Sequence, residues 1–111
     1  MINNVILIGR LVRTPELRET ENKNKVTNIT VAVPRSFKNP NGEYESDFID
    51  CTLWAGLAET ATTFCKKGDL IALKGRLQTT TLEKENVPKM NVINFIVEKL
   101  SFLSSKEKTI E

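Results

Sequence analysis

Apolar residues recur along this chain with two different periods. In 47-DFIDCTLWA-55 a two-residue period puts Ile49, Cys51, Leu53 and Ala55 on one face, a stripe suited to a core. The other face carries Phe48, Asp50, Thr52 and Trp54, so two large aromatics stand on the side that water should wet. The same alternation runs through 26-VTNITVAV-33, where Ile29, Val31 and Val33 are the inward set. Upstream, 4-NVILIGRLV-12 predicts a strand bent at Gly9, and 13–25 is polar and turn-rich. The turn signal 39-NPNGE-43 joins two strands as a hairpin, the second over roughly 46–55. The period then changes. In 57-LAETATTFCKKG-68, Leu57, Ala61 and Phe64 recur at helical spacing, Lys66 and Lys67 close the last turn, and Gly68 is the stop. A long strand follows in 70-LIALKGRLQTTTL-82, with Ile71, Leu73 and Leu77 inward and a bend at Gly75. A polar loop, 83–90, leads to a last strand over 91–103, and 104–111 reads as a short polar tail.

The predicted order is three strands, a helix and two strands. That suits an all-β domain with one short helix: a five-stranded Greek-key barrel of the OB-fold type, spanning 1–103, with the helix between strands 3 and 4 plugging one end. Another five-stranded α+β sandwich has the same element order. The runs Val5 to Ile8 and 95-FIV-97 are apolar on both faces and need cover on both sides. For the first strand, that cover is either the closing barrel or a second subunit.

Composition narrows the function more than the fold. At 111 residues there is room for one modest core. There is no histidine, which removes the commonest general base and the commonest zinc ligand. Cys51 and Cys65 are the only cysteines, far apart and without ligand spacing; both read as small buried hydrophobes. With no glycine-rich phosphate loop and no paired carboxylates outside turns, an enzyme is not expected, and neither is a metal or a cofactor. No apolar run approaches membrane-spanning length and the N-terminus lacks signal-peptide character, so a cytosolic protein is expected.

The net charge of +2 announces no polyanionic partner, but its distribution suits one. By parity, Lys74, Arg76, Gln78, Thr80 and Leu82 face outward on the fourth strand. Arg10 and Arg13 lie where the first strand bends, and Arg35 and Lys38 flank Phe37 in 34-PRSFK-38. Rings interleaved with cations can stack bases and neutralise phosphates without reading sequence. Phe37 shares parity with Ile29, Val31 and Val33, so it is either a core residue at the barrel mouth or turned outward by a bulge near Pro34.

Taken in order, 3-NNVILIGRLVRTPELR-18, 28-NITVAVPRSFK-38, 48-FIDCTLWAGLAE-59, 65-CKKGDLIALKGRLQT-79 and 92-VINFIVEKLSFL-103 resemble the bacterial and phage single-stranded DNA-binding proteins. The resemblance implies an OB-fold that binds single-stranded DNA without sequence preference, in replication, recombination or repair. It implies a cytoplasmic, nucleoid-associated homotetramer with a subunit contact at the first strand. It assigns base stacking to Phe37, Phe48 and Trp54, which puts Phe37 outward. Phosphate or base contacts fall to Arg10, Arg13, Arg35, Lys38, Lys74 and Arg76, with Lys84 beyond the fourth strand. Two departures stand out. Leu82 occupies a position where many members carry a stacking tryptophan. The chain ends at Glu111, with Lys106 and Lys108 in place of the usual acidic tip, as in a truncated or short variant, so tip-mediated recruitment of other proteins is not expected. The alternative reading is an OB-fold interaction module of a replication-restart or recombination complex, with DNA binding secondary.

Overall fold

In the computed structural model, which describes residues 1–104, six strands and one helix follow in the order β1 (Val5–Leu11), β2 (Arg18–Glu19), β3 (Lys25–Lys38), β4 (Tyr44–Trp54), α1 (Ala55–Phe64), β5 (Leu70–Lys84) and β6 (Val87–Ser104). The long strands are adjacent in the order β1-β5-β6-β4-β3, and an antiparallel β1–β3 pairing closes the circle into a five-stranded barrel. A parallel contact, Cys51 with Phe95 and Thr52 with Ile96, joins β4 to β6. Counting barrel strands only, the helix lies between the third and fourth, as the element order predicts for an OB-fold. The additional β2 is two residues long and pairs with the start of β3, inside the stretch expected to be loop.

The interior is apolar. Leu11, Ile29, Val31, Cys51, Leu53, Ile71, Leu73, Phe95 and Val97 fill it, and Ala58 and Ala61 of α1 close one end. Two glycines permit the curvature. A Cβ on Gly75 would lie 2.0 Å from the Ile96 carbonyl oxygen, and one on Gly9 would lie 2.6 Å from that of Ala32. Burial pushes the Cys51 thiol up to about 12 and the Cys65 thiol up to about 11, with the nearby charges of Asp50 and Asp69 as lesser causes. Neither is a thiolate nucleophile near neutral pH.

Several elements differ from expectation, each for a physical reason. Ala55 is not an inward strand residue. It is exposed, takes φ 53° and opens the helix, with Trp54 as an extended N-cap. The helix ends at Phe64, with extended Cys65 as C-cap, so Lys66 and Lys67 lie beyond its last turn. Their backbone N–H groups donate instead to the Asp69 carboxylate (2.9 Å) and to Thr14 Oγ1 (3.1 Å), and Gly68 is a turn residue at φ 92° rather than the helix stop. Phe64 faces solvent and meets Phe102 edge-on at 6.3 Å, so the buried helix stripe is alanine, not phenylalanine. Leu77 keeps its inward face, in one row with the buried Phe95 and Cys51, but is 43% exposed because β5 leaves the barrel there. The loop expected over 83–90 is a tight turn at Glu85 and Asn86, with Asn86 at φ 65° and Lys84 paired with Val87. Apart from Ser104, which ends β6, the polar tail lies outside the described residues.

Candidate nucleic-acid interface

Strand β4 runs without a bulge of its own, so its even-numbered residues share one face: Tyr44, Ser46, Phe48, Asp50, Thr52 and Trp54. Phe48 is 66% exposed and Trp54 42%, as the alternation predicts. The register places neighbours beside them. Phe48 lies opposite Ala32, which lies opposite Arg10, so a ring and a guanidinium flank a methyl group across three strands. The small middle residue leaves a groove of about 610 Å³ lined by Arg10, Ala32, Phe48, Lys67 and Gly68 among others. Arg10 is steadied there by donating from Nη1 to the Gly68 carbonyl at 2.9 Å.

A second groove, about 370 Å³, lies between β3–β4 and the start of β6, with Arg13, Asn28, Thr30, Asp50, Thr52, Val92 and Asn94 on its walls. Asp50, the one carboxylate on the ring-bearing face of β4, accepts from Thr30 Oγ1 at 2.7 Å, and Thr30 Oγ1 in turn accepts from Arg13 Nη2 at 3.2 Å. Its charge is thus tied through one hydroxyl to a cation, and the acid does not stand alone among the rings. The parallel ladder carries the same face onward, in the row Asn28, Thr52, Ile96, Arg76. Arg76 is held at 3.2 Å from Glu98 and donates to Gln78 at 2.6 Å.

The other sequence candidates distribute less evenly. Phe37 is 63% exposed and sits in a register shift between Pro34 and Lys38, the break near Pro34 that an outward placement requires. Lys38 stands with its Nζ 5.7 Å from the Tyr44 ring centroid. Arg35 turns to the opposite face of the β3–β4 hairpin, bonded to Asp47 at 2.8 Å and to Glu45 at 3.0 Å. Hydrogen bonding from Arg35 holds the Asp47 carboxyl below its usual value. Lys74 shares its row with Ile6 and Lys99 on the β1 side of the barrel, away from Phe48 and Trp54. Lys84 is exposed at the tip of the β5–β6 hairpin. The structure therefore gathers Arg10, Arg13, Arg76, Phe48 and Trp54 on one continuous face and extends it toward Phe37 and Lys38. Arg35, Lys74 and Lys84 lie outside that face. One exposed ring on it escaped the sequence reading: Tyr44 has the same parity as Phe48 and Trp54 in 44-YESDFIDCTLW-54, a signal hidden by starting the strand two residues late. Among the described residues no three acidic or cysteine side chains come together to hold a metal ion, and no helix is long and apolar enough to cross a membrane.

A closed five-stranded barrel with rings and cations along one curved wall is an OB-fold with a surface suited to a flexible polyanion. The chain belongs to the single-strand binding protein family, whose family model matches residues 2–103. It is 45% identical over 107 residues to single-stranded DNA-binding protein 1 of Lactococcus lactis subsp. lactis, covering 96% of this chain and 71% of that protein. It is 40% identical over 108 residues to single-stranded DNA-binding protein B of Bacillus subtilis, covering 97% and 96%. A third relative, from Lactiplantibacillus plantarum, is 43% identical over 98% of this chain but only 54% of its own length. The family is a non-catalytic, DNA-binding one, and the chain is not an enzyme.

Proposed function

We propose that this protein binds single-stranded DNA without sequence preference and protects it during replication, recombination or repair in the cytoplasm, at the nucleoid. Phe48, Trp54 and Phe37 stack on bases. Arg10, Arg13, Arg76 and Lys38 neutralise phosphates along the same path, while Arg35, Lys74 and Lys84 lie off it. The observation that carries this reading is the row in which Phe48 and Arg10 flank Ala32, with Trp54 further along the same face of β4. The relatives' names agree with it. The protein works as a homotetramer paired through β1, where Ile6 and Ile8 present apolar side chains to solvent in the single protomer. The alternative, an interaction module with DNA binding secondary, predicts that another chain covers Phe48 and Trp54 in the free oligomer.

Salt dependence tests the electrostatic half. Each phosphate neutralised on a single strand contributes about −0.7 to the slope of log K against log[salt], so four cations on the path predict roughly −3 for each protomer engaged. Arg10→Ala should make that per-protomer slope shallower by about 0.7. An affinity for oligothymidylate that is flat across the salt range contradicts the reading.

A further inference from the structure

Resting on the single-stranded DNA reading above, we propose that Tyr44 is a further base-stacking site and that the nucleic-acid path runs up the β3–β4 hairpin to reach it. The case begins with register. Because the bulge opposite Ser46 is on β3, the alternation along β4 is unbroken from Tyr44 to Trp54, and Tyr44 presents its ring on the same face as Phe48. The two are four positions apart, about 13 Å along an extended strand. Tyr44 is 63% exposed, and the ammonium of Lys38 stands 5.7 Å from its ring centroid.

Charge favours the same occupant. Glu45 and Asp47 have the opposite parity, and Arg35 engages both of them there. The Tyr44 side of the hairpin therefore offers a ring, a cation beside it and the hydroxyl-bearing Ser46, with the Glu45 and Asp47 carboxylates held on the reverse. A π-face next to a lysine is the pairing that binds a nucleobase and its phosphate together. Leu82, exposed on the β5–β6 hairpin, has no π-face to offer. The two hairpins thus differ in kind: the aromatic continuation lies on β3–β4.

The test is photocrosslinking of the full chain to oligothymidylate carrying 5-iododeoxyuridine, mapped by mass spectrometry, alongside affinities of Tyr44→Leu and Tyr44→Phe. Tyr44 is the single tyrosine, so a tyrosine adduct has one possible address. The expected result is an adduct at Tyr44, a loss of about fivefold or more in Tyr44→Leu, and retention within about twofold in Tyr44→Phe, which keeps the ring. Equal melting temperatures for the variants separate this from a folding defect. Adducts at Phe48 or Trp54 without one at Tyr44, or an unchanged affinity in Tyr44→Leu, overturn the proposal and leave the single-stranded DNA reading standing. Failure of the unsubstituted chain to bind the oligonucleotide overturns both.

Discussion

Trp54→Ala is expected to weaken binding of oligothymidylate by about 1–3 kcal/mol, a five- to 150-fold rise in Kd, with Phe48→Ala in the same range. The magnitude follows from position. Both rings stand outward on β4 while their strand neighbours Ile49, Cys51 and Leu53 carry the packing, so removing a ring takes away a stacking platform and leaves the core in place. Trp54→Phe should recover most of the affinity, because the π-face survives with reduced area. The measurement is an equilibrium titration at one fixed salt concentration, with thermal melting of each variant as the control. Single substitutions of Arg10 or Arg13 should cost less than Trp54→Ala at moderate salt, where screening weakens each phosphate contact.

The largest effect on stability is expected from Gly75→Ala. Its Cβ would meet the Ile96 carbonyl oxygen at 2.0 Å, the Phe95 ring at 2.8 Å and the Ile96 carbonyl carbon at 2.9 Å. Two of those three atoms are backbone of the neighbouring strand and cannot swing aside. Relief requires moving β6 where it also pairs in parallel with β4, at the seam that closes the barrel. A loss of about 3 kcal/mol or more is expected from such overpacking. At roughly 4–8 °C per kcal/mol for a domain near this size, the melting temperature should fall by about 12–24 °C. Gly56→Ala is the matched control. It lies within α1 with no atom within 4 Å of the added carbon, and should stabilise by up to about 1 kcal/mol through helix propensity. Equal melting temperatures for Gly75→Ala and the unsubstituted chain would refute the account of the barrel's curvature.

The barrel was legible because its inward positions recur with a two-residue period. Ile29, Val31, Cys51, Leu53, Ile71 and Leu73 each announce an inward face, and the bends at Gly9 and Gly75 fall where the backbones approach most closely. Alternation fails where a strand leaves the core. Beyond Leu77 and Pro34 the two long hairpins are largely exposed on both faces, so residues 83–90 read as loop. The helical period locates α1 between the right strands but runs it past Phe64, since Lys66 and Lys67 look like C-terminal charges although Asp69 and Thr14 take their amides. For the interface, Phe48 and Trp54 follow from parity alone. Arg35 and Lys74 show what parity cannot supply: the carboxylates beside Arg35 and the row that takes Lys74 toward Ile6 depend on cross-strand register.

Titrating the intrinsic fluorescence of Trp54, the chain's sole indole, with oligothymidylate at low salt examines the ring-on-base contact itself. Stacking predicts strong, saturable quenching that reverses as salt is added. Emission that stays constant while the oligonucleotide is bound would contradict the assignment of β4's outer face as the path of the DNA.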